Sequence, residues 1–420
     1  MILLYNPLAG HGHLDSWNAL FVEFLLEAGW SVASLSPGGA DLHHRLKRKQ
    51  LEQHPNLRIL EWRKPQRSLR ERVQSKLTRV IKKLLPKAEI ATSAFEAEIL
   101  KQLESSFLQP QEFAQRVADA TRQLGQAPKL VFNMYMDLYR HDVLGWKPFE
   151  ALHTIPWVGI RFVPSAVPPT EACYQLASLR GMCFLDEQIQ HDYSIAMPEK
   201  SFAYLPDVTD ASVPSTQSAF VAEIKQRASG RKIVFLGGTI GSNKNLSQWF
   251  RAIAQADPSK WYFVQVGEVH EQNLSTEDLA GYQRAQTSPP ENLFIHAEYL
   301  PDEQTFNEVI ALSDVLFAVY RQFSISSNML GKAAAFNKPI LVADGYLMGD
   351  RVQKYRIGLA VPETDSSAMM HALTELVKPE DRSVALPEHF AAYRQDFSYD
   401  ALKQSLYDFI EQALKPVSTH

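Results

Sequence analysis

Residues 320–358 read YRQFSISSNMLGKAAAFNKPILVADGYLMGDRVQKYRIG. The polar run Ser324 to Asn328 leads into an Ala-rich segment that stops at Asn337-Lys338-Pro339. The apolar run 340–343 then ends on Asp344-Gly345. That pattern predicts loop, helix, strand and loop, one repeat of a parallel α/β sheet. A helix opened by Ser326, Ser327 and Asn328 offers backbone N–H groups and hydroxyls to an anion, which makes its start a candidate phosphate seat.

Upstream the same alternation continues. A helix over 218–228, a strand over 232–236 and the loop Gly237-Gly238-Thr239-Ile240-Gly241-Ser242-Asn243-Lys244 lead into a helix over 246–256. Strands are predicted over 261–266, 292–296 and 315–319, with a helix over 302–312 before the last of them. Lys244 is a point charge suited to a phosphate, or a solvated loop lysine.

The first half opens on a strand, 2–5, then the turn Gly10-His11-Gly12-His13, a helix over 17–28 stopped by Gly29, and a strand over 31–35. The turn lacks the third glycine of a dinucleotide fingerprint and no acid closes the second strand, so a nicotinamide cofactor is not expected. Further strands are predicted at 57–62, 155–163, 181–186 and 202–205. Residues 89–124 read as mostly helical. The apolar run 129–137 ends on Asp137, which places a carboxylate at the carboxyl end of a strand, with His141 close behind. A Pro-containing polar stretch at 206–214 reads as a linker. The tail, 391–414, reads as helix.

A chain of 420 residues exceeds one average core, so two domains are expected, 1–206 and 207–390, followed by a C-terminal helix, 391–420, that can cross back to the first. With 45% apolar and 21% charged residues the chain is an ordinary globular protein, not a disordered or fibrous one. Cys173 and Cys183 lack metal-type spacing and read as reduced core thiols of a cytosolic protein. No basic leader precedes a long apolar run, so neither a secretory signal nor a membrane span is expected. The net charge of -4 conceals an asymmetry: between Arg45 and Lys87, 15 Lys or Arg face three acids, Glu52, Glu61 and Glu71. A helix predicted over 68–85 carries Arg70, Lys76, Arg79, Lys82 and Lys83 on one side. It suits an anionic acceptor or the surface of an anionic membrane, or else packs as an ordinary surface helix. Few aromatics interleave with these cations, so nucleic acid is not an expected partner.

Together these segments resemble the GT-B glycosyltransferases, two Rossmann-like domains with parallel sheets facing across a cleft, and especially the sugar-nucleotide-dependent class with an E-x7-E loop. The likeness spans nearly the whole chain and is strongest from Lys232 to about Ala360. Val234-Phe235-Leu236-Gly237-Gly238 with Lys244 resembles the phosphate loop. Glu298-Tyr299-Leu300 resembles the base-holding segment, Ser313-Asp314-Val315 a strand entry, and Ala333 to Ile340 the helix exit. Three positions depart from the pattern. Counted back from Pro339, the two family glutamates fall on Ser324 and Lys332, and the loop arginine falls on Gly238.

The resemblance implies a glycosyltransferase acting on a nucleotide diphosphate sugar, with a UDP-sugar as the expected donor, no cofactor and no metal. Gly237, Gly238, Thr239, Lys244, Tyr299, Leu300, Arg321, Ser324, Ser326, Ser327, Asn328 and Lys332 are expected on the donor, where Lys332 and Arg321 would neutralise diphosphate. Gly10, His11, Gly12 and His141 are expected on a saccharide or glycolipid acceptor. The base that deprotonates the acceptor hydroxyl is sought among Asp137, His13, His11 and His141, with Asp137 and His13 preferred. The expected setting is polysaccharide or lipopolysaccharide assembly in the cytoplasm, peripheral to the inner membrane face. A sugar-nucleotide epimerase and a non-catalytic nucleotide-sugar binder stand as alternatives.

Overall fold

A computed structural model describes residues 1–8, 13–47, 49–62, 108–139, 143–165, 167–300, 303–378 and 383–415. The chain forms two compact units, Met1–Tyr204 with Ser405–His420, and Leu205–Gln404.

The first unit is built on a seven-stranded sheet in the order β3-β2-β1-β4-β5-β6-β7. Its strands are β1 (Ile2–Tyr5), β2 (Val32–Ser36), β3 (Leu57–Glu61), β4 (Leu130–Asn133), β5 (Trp157–Arg161), β6 (Leu179–Phe184) and β7 (Ser201–Tyr204). All pair in parallel, and β1 lies between β2 and β4, with Ile2 opposite both Val32 and Leu130. Helices cover a parallel sheet on its faces, so its strands are largely apolar, and β1, β2, β4 and β5 are buried throughout, with Ser34, Ser36, Asn133 and Arg161 as their buried polar members. The helices are α1 (His13–Glu27), α2 (Gly39–Lys47), α3 (Pro110–Leu124), α4 (Val143–Leu152) and α5 (Glu187–Ala196). Phe113 of α3 anchors one face, stacking on Tyr5 at 4.9 Å and on Phe149 at 5.3 Å.

The second unit carries a six-stranded parallel sheet in the order β10-β9-β8-β11-β12-β13. Its strands are β8 (Lys232–Gly237), β9 (Trp261–Val266), β10 (Leu293–His296), β11 (Val315–Ala318), β12 (Ile340–Ala343) and β13 (Gly358–Val361). The helices are α6 (Ala219–Ala228), α7 (Leu246–Gln255), α8 (Thr276–Thr287), α9 (Glu303–Leu312), α10 (Asn328–Ala335), α11 (Leu347–Tyr355), α12 (Ser366–Val377) and α13 (Pro387–Asp396). The last helix, α14 (Tyr399–Leu414), returns to the first unit: Tyr407 donates to the Phe24 carbonyl and Phe409 meets Phe132 edge-on at 6.2 Å. The expected single helix over 391–414 is therefore two, parted at Phe397-Ser398.

One strand corrects a functional expectation. The run 129–137 leaves the sheet at Asn133, because the Asn133 side chain accepts from the Tyr135 N–H at 3.1 Å and turns the chain. Asp137 lies beyond the strand, in the 3-10 turn Met136–Leu138. Both cysteines are free and buried, and burial pushes the Cys173 thiol up to about 12. Among the described residues no helix is long and apolar enough to cross a membrane.

Candidate functional site

Ligands of open α/β sheets gather outside the carboxyl ends of the strands, where the strand order reverses. In the second sheet that point lies between β8 and β11, so the loops that follow these strands decide what can bind. Gly238 opens the first loop at φ +89, its N–H held by the Val266 carbonyl at 3.1 Å. Beside it Gly267 adopts φ +142, and a Cβ there would stand 1.9 Å from the Gly238 carbonyl oxygen. Only glycine lets these two turns touch.

The cations of this region fasten loops to one another. Lys244 is buried, and its ammonium donates to the Gly237 carbonyl at 3.0 Å and to the Tyr320 hydroxyl at 2.7 Å, tying the β8 loop to the β11 loop. Arg321 grips Asp278 through both terminal nitrogens, at 2.8 and 3.1 Å, and also reaches Asn245 and Ser247, each at 3.0 Å. Burial alone would push the Asp278 carboxyl up. Hydrogen bonds from Arg321, Ser275 and the Ser247 N–H outweigh it and hold the group below the usual range. Arg321, expected on the donor diphosphate, thus pins these loops to one another.

Lys332 also has other partners than expected. It is 2% exposed and donates to the Asp210 carbonyl at 2.7 Å, the Asn307 side chain at 2.6 Å and the Glu303 carboxylate. An ammonium has three N–H donors, and all three are used here, so none is left for a phosphate. Ser326 is likewise engaged, accepting from Arg351 at 2.9 Å and donating to Asp207 at 3.2 Å. Ser327 caps α10 by accepting from the Met329 N–H, and Asn328 begins the helix with its buried side-chain oxygen unpartnered. Thr239 and Ser324 are exposed, Leu300 is half-buried and Tyr299 is 65% exposed. Among the residues expected on the donor, the groups not engaged in these contacts are backbone N–H groups, the Thr239 and Ser324 hydroxyls, the Asn328 amide, the Tyr299 ring and the third N–H of Lys244.

In the first sheet the order reverses between β1 and β4. Asn6 and Asn133 end these two strands with the same turn, each accepting from the N–H two residues on, at 3.2 and 3.1 Å. Asp137 accepts from the Phe162 N–H at 2.9 Å and the Val163 N–H at 2.7 Å, which bind the β4 loop to the β5 loop. Burial pushes its carboxyl up, against the opposing pull of those N–H groups and of Arg161.

Behind it lies a network that sequence reasoning missed. Arg161 and Glu171, 4% and 3% exposed, form an ion pair at 2.7 Å. Ser165 donates to Glu171 at 2.6 Å and shares a hydrogen bond with the Tyr193 hydroxyl at 2.9 Å. The available signal was a charge closing an otherwise apolar strand.

His13 begins α1, but its side chain lies outside the described residues. So do Gly10, His11, Gly12 and His141, and so does the basic set Arg70, Lys76, Arg79, Lys82 and Lys83.

No protein-family model and no curated protein sequence matches the chain. Solved structures do. An alpha,alpha-trehalose-phosphate synthase (UDP-forming) from Burkholderia vietnamiensis superposes with a TM-score of 0.62 at 12% identity, over 98% of this chain and 99% of the other. HepE from Anabaena, solved in complex with UDP and glucose, gives 0.63 at 12% identity, over 98% and 99%. Sucrose-phosphate synthase from Thermosynechococcus elongatus gives 0.60 at 13%, over 98% of each. Sequence identity this low speaks to architecture alone, and the chain has the GT-B fold of these glycosyltransferases.

Proposed function

We propose that the protein is a glycosyltransferase that moves a sugar from a nucleotide diphosphate donor to a hydroxyl of a saccharide acceptor. The donor is held by the second unit and the acceptor by the first. One observation carries this reading: in the second sheet, the β8 loop and the β11 loop, which hold most of the donor-binding residues expected from the sequence, flank the point of strand reversal. The glycines there admit a close backbone approach, and α10 directs its N-terminus to the same edge, suited to a diphosphate leaving group. UDP in the HepE complex and the UDP-forming synthase favour a UDP-sugar donor. Polysaccharide or glycolipid assembly at the inner face of the cell membrane is the setting that suits the basic stretch between Arg45 and Lys87.

The internal engagement of Arg321 and Lys332 favours one alternative, a nucleotide-sugar binder without chemistry. Incubation with a panel of nucleotide sugars, with and without saccharide acceptors, decides between them. Acceptor-dependent release of nucleoside diphosphate supports transfer. Binding without release supports the alternative, and an isomerised donor would point to an epimerase.

A further inference from the structure

At the carboxyl ends of β4 and β5, adjacent strands of the first sheet, two aromatic rings, an exposed aliphatic side chain and a carboxylate stand together. Tyr135 and Phe162 are half-buried, with ring centroids 5.4 Å apart and planes at 60°. Phe162 is backed by Trp17 at 6.2 Å. Val163 leaves 53% of its surface in water, although it directly follows the phenylalanine. Asp137 is fixed against this corner by the N–H groups of Phe162 and Val163. The Phe162 N–H binds one of its oxygens and the Val163 N–H the other, and a carboxylate oxygen can accept more than one hydrogen bond.

We propose that this corner binds the ring of an uncharged saccharide, with the apolar C–H face of the sugar on Tyr135, Phe162 and Val163 and its hydroxyls donating to Asp137. Small-ligand sites combine apolar and aromatic walls with a few fixed polar groups, and this corner has that composition. A sugar ring presents the complementary surface, C–H groups on a face and hydroxyls around the rim. The charges determine which saccharide fits. Asp137 is a carboxylate, and the neighbouring cation, Arg161, is buried and paired with Glu171. A phosphorylated or carboxylated ring would therefore bring a second negative charge up to the Asp137 carboxylate, whose described cationic neighbour is already engaged. The proposal rests on the reading of the first unit as the acceptor side, and it narrows that acceptor to an unphosphorylated terminal sugar.

The experiment uses the full chain and two separate ligands. Saturation-transfer NMR with methyl glycosides of glucose, galactose and mannose, and with glucose 6-phosphate, reads the saccharide; titration calorimetry with UDP reads the donor side. The expected result is transfer to the ring protons of at least one neutral glycoside, with glucose 6-phosphate bound about tenfold or more weakly than that glycoside. Phe162→Leu, which keeps apolar volume but removes the aromatic face, and Asp137→Asn should each weaken glycoside binding about tenfold and leave UDP affinity within about twofold. Thermal melts confirm that each variant is folded, and Phe162→Leu decides the question if Asp137→Asn is not. Tighter binding of glucose 6-phosphate, no contact with any neutral glycoside, or unchanged glycoside affinity in folded Phe162→Leu would overturn the proposal. Failure of the functional reading looks different: UDP would not bind, whatever the glycosides do.

Discussion

The two points of strand reversal share one topology and differ in what they offer a ligand. Between β8 and β11 the positive side chains are turned inward: Lys244 joins two loops, Arg321 is locked to Asp278, and Lys332 is enclosed by Asp210, Asn307 and Glu303. Among the described residues expected on the donor, what remains is mostly backbone, hydroxyl, amide and the Tyr299 ring. Between β1 and β4, and in the neighbouring β5 loop, the buried ion pair lies behind the edge, and a carboxylate with an aromatic corner stands in front. A sheet edge thus does not dictate its chemistry. The partners drawn inward decide which groups stay outside.

The strongest way to break this comparison is to remove the buried support behind the first edge. Glu171→Ala removes the ion-pair partner of the buried Arg161 guanidinium, and the expected loss of stability is about 3–5 kcal/mol, read from urea denaturation. A loss below about 1 kcal/mol would mean that the pair is solvated and does not organise the β5 loop.

The next largest effect is pH-dependent and also falls on the first unit. His153 is buried against Phe113 and Phe149, and burial lowers its pKa from 6.5 to about 4. The folded ring therefore stays neutral until about pH 4, while the unfolded ring takes up its proton near 6.5. Between these values the unfolded state binds more protons, so stability falls as pH falls through this window. The expected loss is about 3 kcal/mol in all. His153→Phe should flatten that part of the profile, measured by denaturation from pH 7 to 4, and an unchanged slope would assign the loss to other groups.

Lys332→Met sharpens the comparison at the second edge. Removing the ammonium leaves the Asn307 oxygen and the Asp210 carbonyl short of a donor, and the expected cost is about 2 kcal/mol. UDP affinity of the folded variant should stay within about threefold of the parent. A loss beyond about tenfold would return Lys332 to the ligand.

The smallest effect concerns the start of α10. Ser327→Ala removes its cap and is expected to cost about 1 kcal/mol of stability, visible as a small downward shift in the denaturation midpoint.

Much of this architecture was legible because parallel strands advertise themselves. Runs such as ILLY at 2–5, WYFVQV at 261–266 and ILVA at 340–343 admit little else, and their observed bounds match the expected ones. Helices α8 and α11 went unread because their apolar spacing is interrupted by charged and small residues, and α12 went unread although Met369, Ala372, Leu373 and Leu376 stand at helical spacing. Asp137 was placed on a strand because hydrophobicity runs past Asn133, and only the Asn133 turn reveals where pairing stops.

At the site, the cap could be read locally, since Ser327 accepts from the N–H two residues on. Charge partners could not. Lys332 meets Glu303, 29 residues away, and Arg321 meets Asp278, 43 residues away, so their burial and engagement follow from tertiary packing.

Transfer itself is tested most directly by one measurement, the release of UDP from a panel of UDP-sugars with a neutral glycoside present and absent. A transferase of the kind proposed releases UDP from at least one donor many times faster when the glycoside is present, with a new glycosidic product in equal amount. Donors that bind and stay intact, at the same rate with and without glycoside, would contradict it.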